Sequence, residues 1–353
     1  MIFTANNFSI ITCYRVDCNK LIVYSNKFHY YVAMKFDDNK VAPRVRFIEI
    51  TDAHEGQRLD NFLMKLLKGV PKSRIYRIIR KGEVRINKGR CDAKRKLILG
   101  DIVRIPPVRV AQEKDAISAP AYLTASLKRD ILFEDDAILV INKPSGFAVH
   151  GGSGISSGVI EALRELRPES RFLELVHRLD RDTSGCLIIA KKRSALRTLH
   201  EYFRGDGVKK NYLALLQGQW QMRKVIVDQP LLKNISQGGE RMVKISSSGK
   251  PSKTLFKRLV MYQDTTLVEA SPYTGRTHQI RVHAAWLGHA IIGDERYGEN
   301  ELNKRFRQRG YKRLFLHAHK LQFAHPVHGE ILKLVAPLPD DLQALLDKSK
   351  NIS

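Results

Sequence analysis

One nine-residue segment in the middle of the chain, His177–Gly185 (HRLDRDTSG), constrains the fold most strongly. It places two carboxylates and two guanidiniums between a Leu/Val-rich run at 172–176 and a second apolar run at 186–190. Charges beside apolar strands are costly to bury unless they pair with one another. The segment therefore predicts a turn, closed by Gly185, that exposes one carboxylate. A purely structural ion-pair turn is the alternative, because such networks also form away from active sites.

The charge balance of the chain favours a nucleic-acid partner. The 353 residues include 61 Lys and Arg against 36 Asp and Glu, which gives a formal net charge of +25. Such an excess is suited to neutralising phosphates with release of counterions. The charge is concentrated, since residues 57–107 hold 15 Lys and Arg against 4 Asp and Glu.

Membrane and disulfide-rich classes do not fit this composition. The sequence contains no unbroken apolar run of the roughly 20 residues needed to span a bilayer. Its four cysteines are scattered and form neither a metal-binding doublet pattern nor a disulfide framework. We therefore expect a protein of the reducing cytoplasm with no membrane partner.

The first 33 residues differ from the rest of the chain, because they are rich in aromatic residues and poor in charge. They lack the charged start and compact apolar stretch of a secretory signal. We expect Met34 to be the true initiator, so that residues 1–33 are translated upstream sequence or else a poorly ordered extension. Residues 34–56 would then form an N-terminal segment.

A compact basic module is predicted at 57–107. Apolar residues at i, i+3, i+4, i+7 and i+8 from Leu59 mark one helix, and Ser73 can cap a second helix that runs to Gly82. On this second helix Arg74, Arg77 and Lys81 share the face opposite its isoleucines. Arginine on such a face favours phosphate contacts, although a merely solvated charged face is the alternative.

The remainder is predicted to be one larger domain. Residues 108–128, which begin with a Pro-containing polar stretch, are interpreted as a linker, and residues 341–353 as a C-terminal tail. Between them, residues 129–340 alternate short strands and helices without a regular βαβ period. This pattern is typical of an α+β fold with a mixed, mainly antiparallel sheet and flanking helices.

Four ordered motifs resemble those of the RluA-type pseudouridine synthases. The central segment is similar to the family signature His-Arg-Leu-Asp-x-x-Thr-Ser-Gly. Three further segments match in the same order: INKPSG at 141–146 with His150 and Gly151 following, KKNYLA at 209–214, and GRTHQIRVH at 275–283. The likeness runs from about residue 57 to about 339 and is strongest to the type that modifies large-subunit ribosomal RNA. The basic module resembles the S4 RNA-binding domain.

This resemblance implies the fold, the reaction and the catalytic residues. It implies a pseudouridine synthase fold with the active site in a cleft across the sheet, and a cofactor-free and metal-free isomerisation of uridine to pseudouridine. Asp180 matches the catalytic carboxylate, and Arg281 matches the arginine that pairs with it. Tyr212 matches the tyrosine that stacks on the base and can take the C5 proton. By themselves, Tyr212 would be interpreted as a core residue and Arg281 as a surface residue on a strand.

The resemblance also implies how RNA is held. Arg178 matches the arginine that replaces the extruded base, with an ion pair to Asp180 or Asp182 as the alternative. His177 and Lys143 are predicted to belong to the RNA-binding and base-flipping set, with Lys143 in the lining of the cleft. The expected partner is large-subunit ribosomal RNA, free or in an assembling subunit, and the expected state is a monomer.

Two other functions remain open from the sequence. Asp180, Asp182 and His177 could ligate a divalent metal in a nuclease, although an arginine on each side of Asp180 would repel a cation. A non-catalytic RNA-binding or ribosome-assembly factor could keep the basic module and only the shell of a synthase. The presence of Asp180 favours the catalytic interpretation.

Overall fold

The computed structural model describes residues 12–17, 20–25, 28–32, 44–51, 54–67, 69–108, 119–151, 158–170, 172–235 and 241–350. The chain divides into two compact units, at 1–112 and 113–353. Within the described residues, no helix combines the length and apolar character that crossing a membrane would require.

A small antiparallel sheet lies near the start of the chain. It consists of β1 (Thr12–Asp17), β2 (Lys20–Ser25) and β3 (Phe28–Val32), paired in sequence order. A poorly ordered extension was one of the two expectations for residues 1–33, and the structure has three strands in this region. Met34 lies outside the described residues, and its assignment as the initiator stays a prediction.

The basic module has two helices and three short strands. They are β4 (Arg46–Glu49), α1 (Leu59–Leu66), α2 (Lys72–Arg80), β5 (Arg85–Ile86) and β6 (Ile102–Ile105). The predicted helix pair is present, but α2 begins directly after Pro71, so Ser73 lies inside the helix and does not cap it. The apolar stripe of α1 and the isoleucines of α2 pack into one core.

A strand upstream of the predicted start at residue 57 pairs with a strand of this module. β4 pairs with β6 across the antiparallel register Arg46↔Ile105 to Glu49↔Ile102, so part of the predicted N-terminal segment 34–56 belongs to the module. The short strand was missed because it has little apolar alternation, and its Phe47 is largely exposed.

The larger unit is built on a ten-stranded sheet. Its strands are β7 (Ile131–Glu134), β8 (Ile138–Lys143), β9 (Glu174–Leu175), β10 (Ser184–Ala190), β11 (Val208–Gln217), β12 (Lys224–Asp228), β15 (Lys253–Met261), β16 (Thr265–Pro272), β17 (Leu316–Ala324) and β18 (Ile331–Val335). A separate hairpin consists of β13 (Leu231–Ile235) and β14 (Arg241–Ile245).

The order across this sheet is β12-β15-β16-β11-β17-β10-β8-β7, with β18 paired to β17 and β9 to β10. The pair β10·β17 is parallel, and the other pairs of described strands in the sheet are antiparallel. A mixed, mainly antiparallel sheet is therefore confirmed. Strands β10, β17 and β11 lie at its centre, where both faces are covered.

Among the described residues of this unit, six helices flank the sheet. They are α3 (Ala121–Arg129), α4 (Val159–Leu166), α5 (Arg193–Arg204), α6 (Gln279–Trp286), α7 (Asn300–Gln308) and α8 (Asp340–Lys350). Helices α3 and α4 pack into one core cluster with β8 and β10, while α6, α7 and α8 share another with β11 and β16.

Two predicted boundaries of this domain are corrected. The C-terminal part of the supposed linker 108–128 is helix α3, whose Leu123 and Leu127 are buried in the core. The supposed tail 341–353 is largely helix α8, whose Leu342 and Leu345 are likewise buried. Both segments are polar enough to resemble connections, and only the i, i+3 or i, i+4 spacing of their leucines indicates a packed helix.

Candidate active site

The Asp180 segment forms a turn between β9 and β10, at the centre of the sheet. Gly185 follows it with φ +111°, and a Cβ there would lie 2.3 Å from the carbonyl oxygen of Ala318 on β17. Only glycine allows this close strand approach. Ala318 is the register partner of both Gly185 on β10 and Tyr212 on β11. The end of the Asp180 turn and Tyr212 therefore lie at the same level of three neighbouring strands.

Two side chains, the guanidinium of Arg281 and the imidazole of His278, contact the same carboxylate oxygen of Asp180. Its Oδ2 lies 3.6 Å from the Nη1 atom of Arg281 and 3.8 Å from the Nε2 atom of His278. The side chain is 22% exposed, so it reaches the cleft while its partners are mostly buried. Both partners therefore contact Oδ2, the same oxygen of this carboxylate.

Arg281 is oriented from behind by a carboxylate that the sequence interpretation missed. Its Nε and Nη2 atoms donate to Asp294 Oδ2 and Oδ1, both at 2.7 Å, and the Asp294 side chain is fully buried. This fork leaves Nη1 directed toward Asp180. Arg281 lies on helix α6 and is only 9% exposed at its side chain, so it is neither on a strand nor on the surface.

Tyr212 lies beside Asp180 in the same cleft. A register irregularity between Asn211 and Tyr212 interrupts the pairing of β11 with β17, and such bulges redirect side chains next to active sites. Burial raises the pKa of the Tyr212 hydroxyl, and the charge of Asp180 raises it further. The phenol is therefore neutral at physiological pH.

The cleft is partly open to solvent. Its empty space, counted together with the open solvent at its surface, is about 630 Å³. Besides Asp180, Tyr212 and Arg281, it is lined by Arg178, Lys210 and the 274–278 loop. Arg178 is exposed, and within the described ranges no ion pair joins it to Asp180 or Asp182. The alternative of a simple ion-pair partner is therefore not supported.

Lys143 does not line the cleft, contrary to the prediction. It is fully buried, and its ammonium group donates to the carbonyl oxygens of Pro144, Phe147 and Arg181 at 2.7 to 3.1 Å. Burial lowers the pKa of Lys143 to about 7, an effect that the charges of Asp182 and Asp180 oppose. Its place next to proline and glycine suggested an exposed loop, but the side chain ties the 143–147 turn to the Asp180 turn.

His177 is also outside the cleft lining. Its Nε2 atom accepts a hydrogen bond from the backbone N–H of Ile188 at 3.1 Å, and its ring stacks on Phe203 at 4.7 Å. Burial lowers its pKa to about 3, so the ring is neutral. This placement does not fit the expected RNA contact, and we assign His177 to anchoring the turn against β10.

Acid is expected to destabilise the larger unit through two neutral histidines. The pKa values of His177 and His317 are lowered by burial to about 3 and about 4, from an ordinary value of 6.5. Below pH 6.5 the unfolded chain binds these protons and the folded chain does not. The free energy of unfolding should therefore fall by about 1.4 kcal/mol per pH unit for each histidine, down to about pH 4.

Urea unfolding between pH 7 and pH 4.5 measures this slope. The variant His177→Gln should lose stability less steeply than the native chain, whereas replacement of exposed His150 by Gln should leave the slope unchanged. Equal slopes for the native chain and His177→Gln would contradict the assignment.

The metal-site alternative is not supported by the geometry. Asp182 pairs with Arg181 at 3.1 Å on the surface, and His177 is held by Ile188. In the part of the chain that the structure describes, the side chains close enough to share an ion are Asp135, His325 and His328, not the predicted set. Asp182 is thus a neighbour of the site and not a member of it.

The sequence interpretation missed Asp294, His278 and Gln279. Gln279 accepts from the Thr274 hydroxyl and the Arg276 backbone N–H, and thereby fixes the loop that lines the cleft. His278 and Gln279 stand inside the GRTHQIRVH motif, so their position was a usable signal. The sequence signal for Asp294 was weaker, because it is an ordinary acidic residue between Gly293 and Glu295 outside the four motifs.

The predicted basic face of the small module is present. Arg74, Arg77 and Lys81 are exposed at or directly after α2, while Ile75 and Ile78 are buried on its opposite side. The face therefore has the accessibility that phosphate contacts require.

Comparison with known proteins agrees with this geometry. Residues 137–286 match the family model described as RNA pseudouridylate synthase, and residues 57–103 match the S4 domain model. A solved structure, Human RNA Pseudouridylate Synthase Domain Containing 4, superposes with a TM-score of 0.54 at 28% identity, covering 65% of this chain and 96% of that one.

Two relatives are similar over nearly their whole length, and both are named ribosomal large subunit pseudouridine synthase C. The protein from Yersinia pestis is 59% identical over 311 residues, which is 88% of this chain and 97% of the relative. The protein from Haemophilus influenzae is 55% identical over 315 residues, which is 89% and 98%. With an S4 domain, a synthase fold and this degree of identity, the chain belongs to the RNA pseudouridylate synthase family, in its ribosomal large subunit pseudouridine synthase C group.

Proposed function

We propose that this chain converts specific uridines of large-subunit (23S) ribosomal RNA into pseudouridine, with Asp180 as the catalytic carboxylate. The observation that carries the proposal is the position of Asp180, partly exposed in one cleft with Tyr212 and held at Oδ2 by buried Arg281. The names of the relatives described above refer to the large ribosomal subunit. The basic module offers an exposed cationic surface that suits RNA phosphates.

The reaction sets three requirements for the site. The N-glycosidic bond of uridine breaks, the base turns, and C5 joins the ribose, so a carboxylate must act as nucleophile or base. Arg281 lies 3.6 Å from Oδ2 of the Asp180 carboxylate and holds it in the cleft. A detached uracil also needs a surface, and the Tyr212 ring offers one. Because its pKa is raised, we assign Tyr212 to stacking and not to removal of the C5 proton.

A uridine inside folded RNA must leave its stack before it can reach the cleft. Arg178 is exposed and lines the cleft, which supports a role in occupying the gap that the base leaves. We assign this bracing role to it. The substrate would be free ribosomal RNA or an assembling subunit, and the enzyme would act as a cytoplasmic monomer without a cofactor or metal.

Release of tritium to water tests the proposed reaction. Unmodified large-subunit ribosomal RNA labelled at uridine C5 is incubated with the purified protein and excess chelator. Formation of the new C5 glycosidic bond expels that hydrogen, which neither a nuclease nor a passive binder can do. Bound but unchanged RNA without tritium release would refute the reaction on this substrate.

The basic face of α2 is expected to contribute salt-dependent affinity. Each of Arg77→Gln and Lys81→Gln should weaken RNA binding irrespective of sequence and reduce the slope of log affinity against log salt by about 1. Filter binding at several salt concentrations measures this slope. Exposed Lys348, on helix α8 of the other unit, is a matched control whose change to Gln should leave the slope as it was.

A further inference from the structure

A chain of polar contacts connects strand β14 to Asp180 through Tyr297 and His278. The backbone N–H of Val243, on β14, donates to the Tyr297 hydroxyl at 3.1 Å. That hydroxyl lies 2.7 Å from Nδ1 of His278, and Nε2 of His278 lies 3.8 Å from Oδ2 of Asp180.

The protons in this chain can be placed from the donors available. A hydroxyl has one proton, and a neutral imidazole has one N–H and one acceptor nitrogen. Because the Tyr297 oxygen already accepts from Val243, its own O–H is free to donate to Nδ1 of His278. The imidazole proton then resides on Nε2, which faces Asp180.

The groups around His278 favour the neutral ring that this assignment needs. Asp180, Asp294, Arg281 and Arg296 all act on it. Burial is the largest influence and lowers the pKa of His278; Asp180 opposes it and Arg281 adds to it. A neutral ring has a defined tautomer, and Tyr297 selects it.

His278 is held in an uncommon backbone conformation. It precedes helix α6 with φ +53° and ψ +20°, in the left-handed region that residues other than glycine rarely adopt. Its ring is fixed by the Tyr297 hydroxyl and by an edge contact with the Tyr297 ring at 5.6 Å. This conformation aims Nε2 into the cleft that His278 lines.

We propose that His278 is a positioning residue. Tyr297 keeps the imidazole proton of His278 on Nε2, and this N–H acts with Arg281 to hold Oδ2 of Asp180. The other oxygen, Oδ1, then faces the uridine. The inference rests on the proposed role of Asp180. Since Val243 belongs to the β13–β14 hairpin, the tautomer of His278 also depends on that hairpin being in place.

Nitrogen NMR of the native protein labelled with ¹⁵N-histidine is the first test. The His278 resonances, identified by their loss in His278→Asn, should report Nε2–H in the native chain. Asparagine is chosen because it tolerates the left-handed conformation. In Tyr297→Phe the Nδ1–H form should gain population. A native ring with its proton on Nδ1 would overturn the proposal.

Kinetics with labelled RNA provide the second test. Because a misplaced catalytic carboxylate slows the chemical step and not binding, Tyr297→Phe and His278→Asn should each lower kcat about 10- to 100-fold, with KM for RNA nearly unchanged. The double variant should lose no more than His278→Asn alone, because the two residues act in series. Additive losses, or native kcat in His278→Asn, would overturn the proposal.

The control is Tyr311→Phe, which also removes a buried hydroxyl, one that lies 2.6 Å from Ser349 Oγ. It should leave kcat unchanged. Failure of the proposed function would give a different result, since the native protein would release no tritium while the tautomer of His278 would still be measurable. The two ideas can therefore fail separately.

Discussion

Replacing Asp180 by asparagine is expected to lower turnover by about 10⁴-fold or more while RNA binding stays close to native. The amide has the shape of the carboxylate, but it can neither attack carbon nor accept a proton at neutral pH, and general-base removal alone typically costs 10²- to 10⁴-fold. Because Asp180 is only one group in a cationic cleft, loss of its negative charge should not weaken phosphate binding. Tritium release and filter binding on the same RNA measure the two effects.

Asp182 provides a matched control for this variant. It lies two residues further along the same turn, and its carboxylate is 42% exposed and paired with Arg181. Asp182→Asn should therefore retain nearly native turnover. An active Asp180→Asn protein, or equal losses in the two variants, would overturn the catalytic assignment.

Replacing Asp294 by alanine is expected to have the largest effect on stability. The change leaves the buried Arg281 guanidinium without its bidentate partner, and removing one member of a buried ion pair typically costs about 3 to 5 kcal/mol. It also orphans the backbone N–H groups of Arg296 and Tyr297, which donate to Asp294 Oδ1. Turnover should fall as well, because Arg281 would no longer be oriented toward Asp180.

Urea unfolding and tritium release together measure this prediction. The matched control is Asp341→Ala, which removes a carboxylate that is 58% exposed and that also binds an arginine, Arg313, with two donors. An exposed pair of this kind is worth about 0 to 1 kcal/mol, so its loss should be small. Similar losses of stability in the two variants would contradict a structural role for the buried pair.

Local periodicity is what made parts of the fold predictable. The leucines of α1 and the isoleucines of α2 have helical spacing and do form the core of the basic module. The prediction of a glycine-closed turn before a buried strand also agrees with the structure, since Gly185 has positive φ and β10 is buried throughout. In these segments the information lies within a few residues of chain.

Other segments were interpreted wrongly because their environment is distant in sequence. The sequences of helices α3 and α8 were interpreted as a linker and a tail. Each helix nevertheless buries leucines in a core that includes strands distant from it in sequence. Lys143 is predicted from the sequence to line the cleft, but carbonyl groups from two turns enclose it. Neither composition nor spacing reveals which surface a short polar segment will cover.

The sequence by itself determined the family likeness, the basic module and the identity of the three central side chains, Asp180, Tyr212 and Arg281. Tertiary structure alone decided how they are held. Asp294 orients Arg281, Tyr297 contacts His278, Lys143 is buried, and His177 is bonded to Ile188. The physical reason is that motifs fix residue type and local conformation. Charge state, tautomer and orientation depend on burial and on hydrogen-bond partners that only the folded chain brings together.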